Sequence, residues 1–183
     1  MLTAKVLLVY LLQHASLFGL PGTVAAINPV EATCLAKNIY FESRGEDIQG
    51  QYAIASVTMN RVKDPRFPDS VCGVVHQMSI SRYTKKEVCA FSWYCDQHSN
   101  NIDFYHTDGK IKEKVVNEFQ TASYIAVEIL SGLVKDNTNG ATNFCNTHIS
   151  QPPWIYTMKK TKVIGNHSFF RLPPIAQNIN FDR

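Results

Sequence analysis

The stretch Asn38-Ile39-Tyr40-Phe41-Glu42-Ser43-Arg44-Gly45-Glu46 decides how this chain is read. Counting back from Glu42, Ile39 and Leu35 fall three and seven residues earlier, so the carboxylate continues a helical apolar stripe and does not sit on a solvated face. Desolvation disfavours the charged form of a carboxyl and raises its pKa, which keeps a proton available for a leaving group near neutral pH. The simpler alternative is that Glu42 pairs with Arg44 or with a cation from elsewhere in the chain.

Around this stretch the pattern is mostly helical. Residues 30–44 read as one helix that stops at Gly45, a position suited to a left-handed cap, and Asp47 is placed to cap the next. Ile48, Tyr52, Ala55, Met59 and Val62 then step by four and three, predicting a helix with one buried face that runs to Lys63 and ends at Asp64-Pro65. Val71 to Met78 is apolar enough for a short buried helix, whereas the aromatic run Cys89-Ala-Phe-Ser-Trp-Tyr-Cys95-Asp96 favours a loop or short strand. Val115, Phe119, Ala122, Ala126, Ile129 and Leu133 mark the longest helix, over Lys112 to Leu133, with an exit loop over Asp136 to Gly140. Ala141 to Asn146 reads as extended and Pro152-Pro153-Trp154 as a helix start. Lys162 to Arg171 reads as a hairpin turning at Gly165-Asn166. The expected class is α+β, mainly helical with a small antiparallel sheet or hairpin.

A chain of 183 residues supports one ordinary domain with a real core. The net charge of +3 falls short of the clustered basic blocks of nucleic-acid binders, so no nucleic acid is expected as a partner. Lys5, the apolar runs Val6 to Leu12 and on to Leu20, and the small residues Thr23-Val24-Ala25-Ala26 resemble a secretory signal. The organisation expected is a signal peptide over residues 1–26 and a single domain over 27–183, exported to the periplasm or cell exterior with no membrane anchor after cleavage. Export makes the five cysteines candidates for disulfides. Cys89 and Cys95 are spaced to close a small loop, Cys34 is within reach of Cys72, and Cys145 is the candidate left over. No Cys-x-x-Cys or His-x-x-x-His pair of ligand spacing occurs, so neither metal nor cofactor is expected.

Three aromatic-plus-polar groups accompany Glu42: Phe91-Ser92-Trp93, Trp154 after two prolines, and Gly165-Asn166-His167-Ser168-Phe169-Phe170. Sugars bind through such mixtures, with aromatic faces against the apolar side of a pyranose and polar groups on its hydroxyls. In order along the chain these blocks resemble the cell-wall hydrolase family of the spore-cortex lytic enzymes, the SleB/CwlJ type. The resemblance runs from Cys34 to Arg171 through Cys34 to Glu46, Asn60-Arg61-Val62, Phe67-Pro68, Ser70 to Val75 with Gln77, Phe91-Ser92-Trp93 with Cys95-Asp96, Gly140-Ala141-Thr142, Pro153-Trp154, Ile164-Gly165 and His167.

This resemblance implies a lysozyme-like catalytic domain that cleaves peptidoglycan glycan strands between N-acetylmuramic acid and N-acetylglucosamine. A monomer is expected. The family's catalytic glutamate maps onto Glu42. Substrate contacts are expected from Ser92, Trp93, Asp96, Phe144, Trp154 and His167, with Ser43, Glu46 and Gln77 in support. Similarity to lytic transglycosylases implies a single acid/base that closes a 1,6-anhydro ring without consuming water. Open alternatives are a muramidase with a second carboxylate such as Asp96, an N-acetylmuramoyl-L-alanine amidase, and a noncatalytic glycan-binding module. Hydrolases usually need two carboxyls about 5 to 9.5 Å apart, and here a second is hard to nominate. The chain departs from the family at Asn143 and Cys145, which stand where histidines of an Ala-Thr-His-Tyr-His-like segment are expected.

Overall fold

The computed structural model describes residues 27–81, 84–96 and 100–175. The leader expected over residues 1–26 and the last residues of the expected domain, 176–183, lie outside the described residues. Among the described residues, no helix is long and apolar enough to cross a membrane.

Helix α1, Pro29–Ser43, opens on Asn28, whose side chain accepts from the Val30 amide, with proline at its first position where a missing N–H costs nothing. Helix α2, Ile48–Lys63, is capped by Asp47, whose carboxylate accepts from the Gly50 amide at 2.7 Å. The short α3, Val71–Val75, is capped by Ser70, and Glu31 of α1 also accepts from the Val71 amide. After it come strands β1, Met78–Ile80, and β2, Glu87–Cys89, then α4, Ser92–Cys95, and the long α5, Glu113–Leu130. The chain closes with β3, Asn143–Cys145, a 3-10 turn over Pro153–Tyr156, β4, Lys159–Ile164, and β5, His167–Arg171.

The sheets are small and antiparallel: β1 pairs with β2, and the second sheet has the order β3-β5-β4. The expected class, α+β and mainly helical, is what the structure has. The hairpin turns at Gly165-Asn166 as predicted, but it is longer than expected and gains β3 as a third strand.

Helix α1 is the centre of the core. Leu35, Ala36, Ile39 and Tyr40 pack with Val74 and Val75 of α3, Phe91, Trp93, and Phe119, Ile125 and Ala126 of α5. Being surrounded, it buries more than the single stripe seen in sequence. Helix α2 likewise has two buried sides. Ala55, with Tyr52, Met59 and Val62 half-buried, faces this core, while Ala53, Ile54 and Val57 pack on Ala141 and Phe169 of the sheet region. A periodicity count finds one of these faces; the other depends on the sheet, which lies more than eighty residues away along the chain.

Other expectations are corrected. Gly45 is absent from the residues with positive φ, and α1 ends instead on Arg44 in ordinary αR geometry, its amide bonded to the Tyr40 carbonyl. Met78 belongs to β1 and not to the helix after Val71, because its backbone is needed for pairing with Cys89. The aromatic run after Cys89 contains the helical turn α4, since Trp93 must turn inward to reach the core. Helix α5 stops at Leu130, where Gly132 takes φ of +75° and leaves Leu133 exposed. The cysteines pair as Cys34–Cys72 and Cys89–Cys95, and Cys145 is free, as the spacing suggests.

Candidate active site

Glu42 sits in the last turn of α1 and opens into a cleft of about 510 Å³. Arg61 of α2 and Phe67 form part of its floor. Gln77, Ser79 and Val88 supply the β1–β2 wall, followed by Cys89, Ala90, Phe91 and Ser92. Asn143, Phe144 and Trp154 close the opposite side. Five separate parts of the chain therefore meet around one carboxyl.

The end of α1 is fixed from behind. Asn38 is fully buried; its amide donates to Thr58 Oγ1 of α2 at 3.1 Å, and its Oδ1 accepts from the Trp93 indole at 2.9 Å. Trp93 stacks on Phe41 with ring centres 4.6 Å apart. One turn of α1 is thus tied to α2 and α4, which sets where Glu42 points. Arg44 does not pair with it: the guanidinium donates to the Tyr40 hydroxyl and lies over that ring.

Burial pushes the Glu42 carboxyl up to about 7, and the positive charge of Arg61 partly opposes the rise. Arg61 is buried among Phe91 and Phe67, with its guanidinium carbon 4.8 and 5.5 Å from the two ring centres, and its Nε donates to the Thr142 carbonyl at 2.6 Å. Burial lowers the Arg61 pKa to about 10, so the guanidinium is still charged at neutral pH. It tempers Glu42 and holds the strand that carries Asn143. As a site residue Arg61 escapes the periodicity analysis, although Asn60-Arg61-Val62 stood among the blocks of the family resemblance. An arginine inside a helical apolar pattern was the available signal.

The structure divides the expected site residues. Gln77, Ser92, Phe144 and Trp154 line the cleft with Glu42. Trp93 does not, because it is a core residue hydrogen bonded to Asn38. Ser43 is buried, its hydroxyl donating to the Ile39 carbonyl one turn back. Asp96 is exposed at the end of α4 and is outside the lining, as are Glu46 and His167.

Glu46 and His167 instead buttress the cleft wall. Glu46 accepts from the Asn166 amide at 3.2 Å and from its side chain at 3.1 Å, and its carboxylate lies 3.6 Å from His167 Nδ1. The His167 ring meets Phe144 edge-on at 5.3 Å, so this contact joins the start of α2 to an aromatic of the cleft. Burial lowers the His167 pKa while the Glu46 charge raises it, with burial the larger. Gly165, at φ of +54°, permits the tight turn, and a Cβ there would collide with the Glu46 carboxylate. Gly165→Ala is therefore expected to cost about 1–2 kcal/mol from backbone strain alone, plus the Glu46 contacts, and thermal denaturation measures the loss.

Among the described residues lining the cleft, Glu42 is the one acid, and no group of three or more histidine, cysteine or acidic side chains suited to a metal is found among the described residues. Chemically the site offers a carboxyl that keeps its proton up to about pH 7, a buried cation and an aromatic-lined channel.

Comparison with known proteins converges on one family. A family model described as Cell Wall Hydrolase matches residues 45–170, beginning just past Glu42. The spore cortex-lytic enzyme of Bacillus subtilis (strain 168) is 31% identical over 157 residues, 86% of this chain and 42% of that protein. Its counterpart from Halalkalibacterium halodurans is 31% identical over 135 residues, 74% of this chain and 33% of that protein. The chain thus spans well under half the length of these relatives. The crystal structure of the catalytic domain of the Bacillus cereus SleB protein matches with a TM-score of 0.54 at 29% identity, covering 77% of this chain and 89% of that one. The catalytic domain of the germination-specific lytic transglycosylase SleB from Bacillus anthracis, 23% identical with a TM-score of 0.53, shares the fold. With a lysozyme-like α+β fold in common with these domains and the family model matched across most of its length, the chain belongs to the cell wall hydrolase family.

Proposed function

We propose that the protein cleaves the glycan strand of peptidoglycan between N-acetylmuramic acid and N-acetylglucosamine as an exported lytic transglycosylase, with Glu42 as the acid and base. The observation that carries this reading is that Glu42 is the one carboxyl lining the cleft among the described residues, and that its burial raises its pKa to about 7.

Glu42 donates its proton to the glycosidic oxygen as the bond from muramic acid C1 breaks, and positive charge develops at C1. The carboxylate left behind takes the proton of the muramic acid 6-hydroxyl. That oxygen then bonds to C1 and closes the 1,6-anhydro ring. Glu42 ends protonated, the leaving sugar has gained the proton it needs, and no water enters. Phe144 and Trp154 offer apolar faces to the sugar rings, while Gln77, Ser92 and Asn143 offer groups for hydroxyl and acetamido bonds. Asn143 stands where the family resemblance leads one to expect a histidine; as a neutral amide it keeps hydrogen-bonding capacity without a second titrating group.

Mass spectrometry of the fragments released from purified walls tests the chemistry. Muramic acid ends lighter by one water than reducing ends are expected. Reducing ends alone would replace this mechanism with hydrolysis, and free amino groups with uncut glycan would indicate amide cleavage instead.

A further inference from the structure

The face of the three-stranded sheet that packs against Trp154 carries a feature that the chemistry above leaves unused. Asn143 of β3 is paired with Phe170 of β5, and Phe170 is paired with Lys160 of β4. Directly opposed residues of an antiparallel sheet point to the same side, so these three form one row that begins in the cleft and ends on a lysine. Trp154, which lines the cleft, stands edge-on against Phe170 at 5.4 Å, in the middle of the row. The Lys160 charge also acts on the thiol of Cys145, two residues beyond Asn143 on the same side of its strand.

Lys160 thus shares the sheet face against which the cleft residue Trp154 packs, about 10 Å, or two strand spacings, from Asn143. Lys159 and Lys162 are exposed on the same strand but register with Arg171 and Phe169, on the other face. Among the described residues none of the three lysines takes part in an ion pair. Lysines do protect sheet edges, but a guard against edge pairing has no need to be aligned with the cleft.

On the reading of the cleft as a site for peptidoglycan, we propose that Lys160 of β4 forms a subsite for the carboxylates of the stem peptide carried by the muramic acid bound in the cleft. A stem peptide branches from the lactyl group on the sugar ring and carries free carboxylates several bonds out, beyond the edge of a channel that holds the glycan. A flexible cation one sheet width away matches that chemistry, and it makes peptide-bearing strands better ligands than bare glycan.

The test measures binding to the Glu42→Gln variant, which keeps the ligand uncut, using soluble strands from one wall preparation with the stem peptides intact or enzymatically removed. Tighter binding of the peptide-bearing strands is expected. Adding Lys160→Met should weaken that binding about two- to fivefold, leave bare strands unaffected, and be reversed by Lys160→Arg. Lys114→Met, an equal charge change on α5, should not alter the ratio. Equal weakening on both ligands, no weakening, or a preference for bare strands would overturn the subsite. Failure of the parent protein to release anhydro ends rejects the transglycosylase reading separately, because the binding ratio does not depend on turnover.

Discussion

Glu42→Gln is expected to lower the rate of glycan cleavage by about 10²–10⁴-fold, the range removed with a positioned proton donor, while making the protein more stable above neutral pH. Both effects share a cause. Burial raises the carboxyl pKa from its ordinary value to about 7, so between those values the native state holds a proton that the unfolded chain has released. Stability from this group is complete below the ordinary carboxyl range and is lost as pH rises to about 7. A shift of this size corresponds to about 3 kcal/mol once Glu42 is ionised. The glutamine variant carries no such penalty. Its melting temperature should match that of the parent near pH 4 and exceed it at pH 8, while the parent's kcat/KM should fall above about pH 7. A variant that clears walls as fast as the parent would remove Glu42 from the mechanism.

Arg61→Met is the second large effect. The substitution leaves the Thr142 carbonyl without its 2.6 Å donor and removes a cation from between Phe91 and Phe67. A buried acceptor stripped of its partner costs about 1–3 kcal/mol. The cation also opposes the rise in the Glu42 pKa, so without it the carboxyl keeps its proton to higher pH and the falling limb of the rate profile moves above pH 7. Arg61→Lys separates the two roles. It keeps the charge and the position of the limb, yet loses stability because an ammonium does not reproduce the guanidinium geometry. An unmoved pH profile in Arg61→Met would show that the arginine serves the strand alone.

What the sequence made legible depended on the range of the interaction. The Asp47 cap, the end of α2 at Asp64-Pro65 and the turn at Gly165-Asn166 are decided within a few residues, and all are found where local chemistry puts them. Glu42 was legible because its neighbours three and seven positions back define a buried stripe. Which aromatics face a sugar and which face the core was not. Trp93 and Ser92 are adjacent, and the choice between them rests on the Asn38 amide, 55 residues away from Trp93. The β1–β2 pair was missed for a related reason: all its residues but the half-buried Cys89 are exposed, so no apolar alternation marks them. Glu46 and His167 were singled out as site residues, yet their contact belongs to the frame of the wall, 3.6 Å from each other and outside the lining.

The indole ring that ties α4 to Asn38 has a practical consequence. The chain has two tryptophans, one sealed in the core with its N–H satisfied and one half-buried at the cleft. They are natural fluorophores with separate jobs. Emission from Trp93 follows the integrity of the helical core, while emission from Trp154 responds to whatever fills the channel. With each replaced in turn by phenylalanine, folding and occupancy become two independent optical signals from one unlabelled protein.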